Sequence, residues 1–217
     1  MNNKFIISDT HFGDERIIKY ENRPFNNVTH MDMTIAVNWN KTVGKHDKIF
    51  VLGDFADYDI GYVKKILLPQ LYGYKILVMG NHDRKYDVKE WLDAGLDEVY
   101  NYPIIVDDFY ILSHEPLYVN QNMPYANICS HVHNNSAHKD FSKQSFCVSV
   151  ERIEYKPVSF EYIKHMMIAE QVLGSDCHKC KKFHCWQCKR SDKCDKDNKG
   201  LLICEDFIMN DEDFACY

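Results

Sequence analysis

Three short apolar runs, each ending abruptly in a polar loop, constrain the fold of this chain most strongly. They are KFIISD (4–9), DKIFVLG (47–53) and YKILVMG (74–80). Continuous apolar runs of this length are typical of strands that are covered on both faces. Between them, segments 29–43 and 60–71 carry apolar residues at roughly helical spacing, and Thr29 is a candidate N-cap of the first helix. The first third of the chain therefore predicts alternating strands and helices.

Beyond these runs the sequence becomes richer in strand-like segments. Asp107 and Asp108 suit a hairpin turn, and further strands are predicted within 126–131 and 145–150. A last helix is predicted over 159–174, because a glycine at its end is a common helix stop. The pattern indicates a mixed α/β (α+β) domain.

The composition limits the class of protein. The 217 residues are 45% apolar and 13% aromatic, which suits a packed globular core. No apolar run approaches the roughly 18 residues of a membrane span, and the N-terminus lacks a secretory pattern. We therefore expect a cytoplasmic protein without a membrane partner.

Charge is unevenly distributed along the chain. The net charge is −6, but residues 176–200 contain eight Lys or Arg against four Asp, a net of +4, so the rest carries −10. An acidic body argues against nucleic-acid binding by the whole protein, whereas the basic segment leaves such binding open for one end.

Polar side chains, most of them of types that bind metals, follow successive predicted strands. They are Asp9 and His11 after the first, Asp54 after the second, Asn81, His82 and Asp83 after the third, His114 after the fourth, and His131 and His133 after the fifth. Ligands of α/β sheets bind in the crevice outside the carboxyl ends of the strands, so these side chains are expected to converge. Each motif alone is an ordinary turn composition, and a single histidine at a strand end is usually structural. Turn chemistry does not explain five such strand ends in succession.

The residue types indicate a pair of metal ions. Residues i and i+2 of a strand share a face, so His131 and His133 are expected to point into one pocket. Carboxylates and imidazoles without cysteine suit Mn²⁺, Fe²⁺ or Zn²⁺. Seven candidate ligands are too many for one tetrahedral ion, whereas two ions about 3.5–4 Å apart that share a carboxylate would use them all. Asp54, alone on its strand end, is the candidate bridge.

The motifs, in this order, resemble those of the calcineurin-like metallophosphoesterases. They are DTH (9–11), GD (53–54), GNHD (80–83), SH (113–114) and SHVH (130–133). The resemblance covers about residues 4–165, and the segments SDTHFGDERII and NRPF are more similar to a small bacterial and phage branch than to the Ser/Thr protein phosphatases. It implies a four-layer α-β-β-α sandwich in which helices flank two sheets.

The resemblance also implies a role for each matched residue. One metal would be held by Asp9, His11, Asp54 and His133, and the other by Asp54, Asn81, His114 and His131. His82 matches the histidine that contacts the phosphate and protonates the leaving oxygen, and Asp57 matches a carboxylate that orients it in some members. The implied reaction is in-line attack of a metal-bound hydroxide on phosphorus.

Two positions depart from the family pattern. Ser130 replaces the glycine that usually begins the final motif, a small change that is expected to leave the histidines usable. Tyr58 stands where the protein phosphatases have an arginine that grips a phosphomonoester dianion. A nucleotide-type phosphodiester is therefore the favoured substrate, although Arg84 or Arg16 is a candidate substitute for that arginine.

The C-terminal segment 175–217 is predicted to be separate from the phosphoesterase domain at 1–174. Seven of the nine cysteines lie there, and two CxxC pairs are formed by Cys177, Cys180, Cys185 and Cys188. In a reducing compartment such pairs favour a structural Zn²⁺ site over disulfides, with free thiols as the alternative. Spacing does not fix which four bind, because Cys194 and Cys204 are also near and His178 or His184 is a further candidate ligand.

Other functions remain open at this stage. Residues 179–199 combine lysines with Trp186 and so suit contact with nucleic acid, although charge runs more often only solvate a surface. One alternative is therefore a nuclease that binds DNA or RNA through this segment. Another is a binding module without turnover, which is disfavoured because every metal-ligand position of the matched motifs is present. Nothing in the sequence predicts an oligomeric state.

Overall fold

The computed structural model of the protein describes residues 3–120 and 122–173. Several predictions fall outside these residues and are not addressed by the fold. They concern the helix stop at Gly174, the candidate zinc ligands Cys177, Cys180, Cys185 and Cys188, and the basic segment 179–199.

Within the described residues, the strands form two five-stranded sheets. In chain order the strands are β1 (Lys4–Ile7), β2 (Lys48–Val51), β3 (Tyr74–Val78), β4 (Glu98–Tyr100), β5 (Ile104–Val106), β6 (Tyr110–Leu112), β7 (Ala126–Cys129), β8 (Phe141–Ser142), β9 (Ser145–Cys147) and β10 (Val158–Ser159). The prediction of a mixed α/β fold is confirmed, and the two sheets with their helices are consistent with the sandwich that the resemblance implies.

The first sheet has the order β10-β1-β2-β3-β4, in which β1 to β4 are parallel. The three apolar runs form its centre, and the last three residues of each strand are buried because both faces are covered. Ile7 pairs with Val51, and Val51 pairs with Leu77. The loops that follow β1, β2 and β3 therefore leave the sheet at the same edge.

The second sheet has the order β5-β6-β7-β9-β8, in which β6, β7 and β9 are parallel. The predicted hairpin is confirmed, since β5 and β6 are antiparallel and joined through Asp107 and Asp108. Both residues have φ above +50°, the left-handed conformation that short polar side chains tolerate. The parallel β6 and β7 send the loops with His114 and His131 to one edge.

Helices connect and cover these strands. They are α1 (Glu15–Tyr20), α2 (Val28–Thr42), α3 (Ile60–Tyr62), α4 (Leu68–Gln70), α5 (Val88–Ala94) and α6 (Phe160–Leu173), with a π-helical turn (Val63–Leu67) joining α3 to α4. The predicted cap Thr29 is wrong, because the side chain of Asn27 accepts the hydrogen bond from the backbone nitrogen of His30. Thr29 lies inside the first turn instead.

The apolar faces of helices α2 and α6 pack into the protein core. α2 buries Ile35 and Trp39, and complete burial of a side chain such as Ile35 contributes about 1.5–3 kcal/mol. α6 covers the second sheet, where the ring of Phe160 lies 5.0 Å from that of Tyr110. In the part of the chain that the structure describes, no helix is both long and apolar enough to cross a bilayer.

Candidate metal centre

The loops after β1 and β2 run side by side beyond the end of the first sheet. The backbone nitrogen of Asp9 donates to the carbonyl of Gly53 at 3.1 Å, and that of His11 donates to the carbonyl of Asp54 at 2.9 Å. These bonds extend the strand pairing into the loops. They hold the DTH and GD motifs next to each other.

The carbonyl of Leu52 connects the second sheet to this edge. It accepts a hydrogen bond from the Ser130 hydroxyl at 2.7 Å and lies 2.8 Å from Nδ1 of His114. Because Nδ1 of His114 donates to this carbonyl, Nε2 is the ring nitrogen that faces the centre, and it would offer its lone pair to an ion once its own proton has left. The Ser130 hydroxyl also lies 3.0 Å from the backbone carbonyl of His114, so the serine at this position supports the site rather than obstructing it.

Asp9, His11 and His133 form the first cluster of candidate ligands. One ligand atom of each lies within 4.8 Å of the others. Oδ1 of Asp9 and Nε2 of His11 are buried and have no hydrogen-bond partner among the described residues. An unpartnered buried oxygen and nitrogen side by side are costly in a folded protein. A divalent cation between them would satisfy both, so this cluster fits a metal ion.

Asp54, His114 and His131 form the second cluster, again within 4.8 Å. Nε2 of His114 lies 3.0 Å from Nδ1 of His131 and 3.0 Å from Oδ1 of Asn81. The amide oxygen of Asn81 therefore reaches the same point as the two imidazoles. This set of oxygen and nitrogen donors also suits a borderline divalent ion.

Asp54 lies between the two clusters. Its Oδ2 atom is 3.6 Å from Nε2 of His11 and 3.4 Å from Nε2 of His114. Its Oδ1 accepts a hydrogen bond from the backbone nitrogen of His82 at 3.0 Å, which fixes the carboxylate plane. The geometry suits a carboxylate that is shared by two ions, as the sequence predicted for this residue.

The electrostatics of the centre favour bound positive charge. Burial raises the pKa of Asp9. Burial acts in the same direction on Asp54, but the hydrogen bond with His114 and the charge of His114 outweigh it and lower its pKa to about 2. Burial would lower the pKa of His114, yet its bond to Asp54 and the charge of Asp9 raise it to about 9. A proton on His114 therefore balances the buried carboxylates, and a divalent cation would supply the same compensation.

His11 differs from His114 in its charge state. Burial, the dominant effect, lowers the pKa of His11 to about 3, even though Asp54 acts to raise it. Its imidazole is therefore neutral near pH 7. A neutral imidazole with an unpartnered Nε2 is the form that binds a metal ion.

Five candidate ligands share an uncommon backbone conformation. Asp9, His11, Asp54, His131 and His133 all have φ between +44° and +69°. This left-handed region costs free energy for residues with a side chain, and such residues cluster at functional sites. The surrounding hydrogen bonds hold the ligands in this conformation, which turns their side chains toward one another.

Two glycines of the motifs leave room for the ligands. A Cβ atom on Gly53, which has φ of +86°, would lie 2.4 Å from Nδ1 of His114. A Cβ atom on Gly80 would lie 2.3 Å from Oδ1 of Asp54. The GD and GNHD motifs therefore need glycine because the side chains of the neighbouring motifs occupy that space.

The HxH pair belongs to both clusters, not to one strand face. The prediction that a strand carries His131 and His133 is wrong, since β7 ends at Cys129 and both histidines lie in the following loop, but both belong to the candidate ligand clusters. His131 joins the Asp54 cluster, and His133 joins the Asp9 cluster. This division agrees with the ligand sets that the resemblance implies.

The three residues predicted to act on the substrate are all exposed. His82 is exposed, and its ring meets that of His11 edge to face at 4.9 Å. The carboxylate of Asp57 pairs with Arg16 at 3.0 Å and with Lys85 at 3.3 Å, so its role in orienting His82 stays a prediction. Arg84 is exposed, and its contact with substrate likewise stays a prediction.

Sequence reasoning gave no role to several buried polar residues that support the centre. The carboxylate of Asp83 accepts backbone hydrogen bonds from Asp54, Phe55 and Gly80 at 2.7–2.9 Å, and so fixes the GD loop. The only signal in the sequence is its place at the end of the GNHD motif. Arg23 is buried behind the DTH loop and appeared only as part of the NRPF segment.

Comparison with protein families gives an independent match. The family described as calcineurin-like phosphoesterase matches residues 5–167 of this chain. This span includes all seven candidate active-site metal ligands and His82. It agrees with the resemblance stated from the motifs.

Individual relatives are similar over different lengths. A protein of Methanocaldococcus jannaschii described as uncharacterized is 34% identical over 168 residues, which is 73% of this chain and 88% of that protein. The gene 66 protein of Mycobacterium phage L5 is 33% identical over 85 residues, 38% of this chain and 41% of the phage protein. The crystal structure of a protein of unknown function from Aquifex aeolicus superposes with a TM-score of 0.58 at 28% identity, covering 76% of this chain and 100% of that chain.

Proposed function

Because this chain belongs to the calcineurin-like phosphoesterase family, we propose that it is a metal-dependent phosphodiesterase that acts on nucleotide-type phosphodiesters. The family and the two Asp/His clusters together support hydrolysis of a phosphoester at a dinuclear divalent metal site. The preference for diesters and the identity of the ions go beyond this and form the proposal. Mn²⁺, Fe²⁺ and Zn²⁺ are the ions that the donor set favours.

The candidate ligands would be divided between two metal ions. When bound, two divalent ions lower the pKa of a water and stabilise charge on the phosphoryl oxygens. Asp9, His11 and His133 would hold one ion, while Asn81, His114 and His131 would hold the other. Asp54 would hold both. Asp9, His11, Asp54 and His114 are buried, which strengthens their electrostatic effect on a bound ion.

His82 has the position expected of a proton donor. Its backbone is anchored to Asp54, while its ring stays exposed beside His11 at the edge of the ligand clusters. A side chain at this rim can reach the oxygen that leaves the phosphorus without itself binding a metal. General acid catalysis of this kind contributes about 10²–10⁴-fold.

The orientation of Tyr58 is the main support for the proposed preference for diesters. Its hydroxyl donates to Oδ2 of Asp32 at 2.7 Å, and its ring packs against Gly13, where an added Cβ would meet it at 2.8 Å. The position that holds a phosphate-binding arginine in the protein phosphatases is thus occupied by a neutral side chain engaged elsewhere. A phosphodiester carries one negative charge fewer than a phosphomonoester dianion, so it needs that cation less.

Two nearby basic side chains, Arg16 and Lys85, are already paired with carboxylates and so are poor substitutes for the missing arginine. Arg16 is bound by Asp14 at 2.8 Å and by Asp57 at 3.0 Å, so its charge is already balanced. Lys85 shares the carboxylate of Asp57. Arg84 is the remaining exposed candidate near His82, and we propose that it contacts the substrate phosphate.

A matched pair of chromogenic substrates tests the proposal. The Mn²⁺-loaded protein is assayed with p-nitrophenyl phosphate and with bis(p-nitrophenyl) phosphate, which release the same leaving group. We expect kcat/KM to be higher for the diester. Turnover of the monoester alone would contradict the diester preference, and no metal-dependent turnover of either would contradict the whole proposal.

The nuclease alternative depends on residues 175–217, which lie outside the described part of the chain. If the basic segment 179–199 binds nucleic acid, removal of 175–217 should reduce cleavage of single-stranded DNA or RNA while cleavage of bis(p-nitrophenyl) phosphate persists. The structural Zn²⁺ proposed for this segment is tested separately by zinc analysis of the full-length and shortened proteins.

A further inference from the structure

Arg23 hydrogen-bonds from the protein interior to the backbone of the loop that carries Asp9 and His11. Its side chain is fully buried. One terminal nitrogen donates to the carbonyl of Asp9 at 2.7 Å, and the other donates to the carbonyl of Thr10 at 3.2 Å. The guanidinium therefore holds the segment between two candidate ligands, Asp9 and His11.

Glu151 connects the same guanidinium to a third ligand. Its Oε1 atom accepts from Nε of Arg23 at 2.8 Å and lies 2.6 Å from a terminal nitrogen. The same oxygen is 3.1 Å from Nδ1 of His133. The side chain of Glu151 is 4% exposed, so this chain of contacts is shielded from water. Arg23 and Glu151 thus contact two ligands of the first cluster, Asp9 and His133, and the residue that precedes the third, His11.

We propose that Arg23 and Glu151 are positioning residues that build the metal site of Asp9, His11 and His133. Glu151 accepts the Nδ1 proton of His133, which leaves the Nε2 lone pair for the ion and fixes the rotation of the ring. Arg23 holds Glu151 in place and fixes the loop of the other two ligands. This inference rests on the proposed dinuclear centre, and it adds two residues to which the family resemblance gave no role.

A different function for this region is less consistent with its charges. Glu21, His133 and Glu151 also place ligand atoms within 4.8 Å, and Oε2 of Glu151 is buried without a hydrogen bond among the described residues. A third cation there would lie close to the guanidinium of Arg23, which already balances Glu151. Repulsion between two buried positive charges argues for a supporting carboxylate and against a third metal site.

The two clusters make the inference testable by metal binding alone. Arg23 and Glu151 contact only the first cluster, so Glu151→Gln should weaken one site and spare the other. Changes of such outer partners cost about 10–100-fold in metal affinity. Mn²⁺ is the probe, because oxygen and imidazole donors suit it better than thiolates do.

The experiment titrates the metal-free full-length protein with Mn²⁺ and follows binding by calorimetry and electron paramagnetic resonance. The wild type should bind a spin-coupled pair of ions. Glu151→Gln should bind one ion with unchanged affinity and the second about 10–100-fold more weakly, with an uncoupled signal at low loading. Arg23→Lys should give the same pattern, because a lysine cannot reproduce the fork of contacts.

Glu154→Gln is the matched control. Glu154 lies three residues away, is exposed and pairs only with Lys156, so this variant should bind both ions as the wild type does. Thermal denaturation establishes that each variant is folded. Unchanged binding of both ions by Glu151→Gln and Arg23→Lys, or equal weakening of both sites, would overturn the inference. A wild type that binds no pair of ions would overturn the proposed centre itself.

Discussion

Oδ2 of Asp54 lies 3.4 Å from Nε2 of His114, and this contact places an aspartate of the first sheet against a histidine of the second. The two residues are 60 positions apart in the chain, yet each follows a strand that ends at the centre. Oδ2 of the same carboxylate is 3.6 Å from Nε2 of His11. Asp54 therefore belongs to both ligand clusters, and the function proposed for this chain depends on it.

Replacing Asp54 by Asn should abolish the dinuclear centre. The amide keeps the size of the side chain but loses the charge that two cations would share. We expect kcat/KM to fall by more than the roughly 10–100-fold that changes outside the ligand shell cost. Steady-state hydrolysis of bis(p-nitrophenyl) phosphate measures this effect. The control Asp93→Asn changes an exposed ion pair with Lys89 and should retain full activity, whereas an active Asp54→Asn enzyme would contradict the bridging role.

Replacing His82 by Ala should slow the chemistry without removing the metals. If the imidazole protonates the leaving oxygen, the loss should approach about 10²–10⁴-fold for an alkyl leaving group and be much smaller for p-nitrophenolate. The metal content should stay at two ions per chain. His46→Ala, at an exposed turn position, provides the matched control. Equal rate losses on both leaving groups would show that His82 does not act as the acid.

Replacing Tyr58 by Phe separates its structural contact from substrate preference. The change removes the hydrogen bond to Asp32 and should destabilise the protein by about 0.5–1.5 kcal/mol in urea unfolding. Because the hydroxyl points to Asp32, the ratio of diester to monoester kcat/KM should not change. A marked change of that ratio would mean that the hydroxyl contacts the substrate.

Replacing Gly80 by Ala should disturb the metal centre by steric clash alone. The new methyl group would lie 2.3 Å from Oδ1 of Asp54 and 2.9 Å from Cε1 of His114, so one of these ligands must move. We expect Mn²⁺ binding and activity to fall together. In Gly61→Ala the methyl group meets only Oδ1 of the exposed Asp59, and both properties should persist. Normal Mn²⁺ binding by Gly80→Ala would contradict the predicted clash between the new methyl group and the ligands Asp54 and His114.

Much of the fold and of the ligand set could be predicted from the sequence. Apolar runs define strands because burial on both faces requires them, and the parallel register of β1, β2 and β3 then places the following loops at one edge. The order of the motifs supplied the division of ligands between two ions. Asp54 was predicted as the bridge, and its position between the clusters agrees with this.

Other features depend on contacts that local pattern does not encode. His131 and His133 were placed in a strand because their spacing suits one, but their left-handed backbone is imposed by loop contacts, including the bond from the nitrogen of His131 to Asp9. Glu151 lies 128 positions from Arg23, and the sequence around either residue does not predict their ion pair. Asn27 rather than Thr29 caps α2, since both are good caps and only the start of the helix decides between them.

A crystal structure of the full-length protein grown with Mn²⁺, with anomalous difference maps, would test whether two ions share the carboxylate of Asp54. We expect two anomalous peaks about 3.5–4 Å apart, with the carboxylate of Asp54 in contact with both. The side chains of His11 and His114 should lie on opposite ions. A single peak, or a pair of peaks with His114 turned away from them, would contradict this expectation.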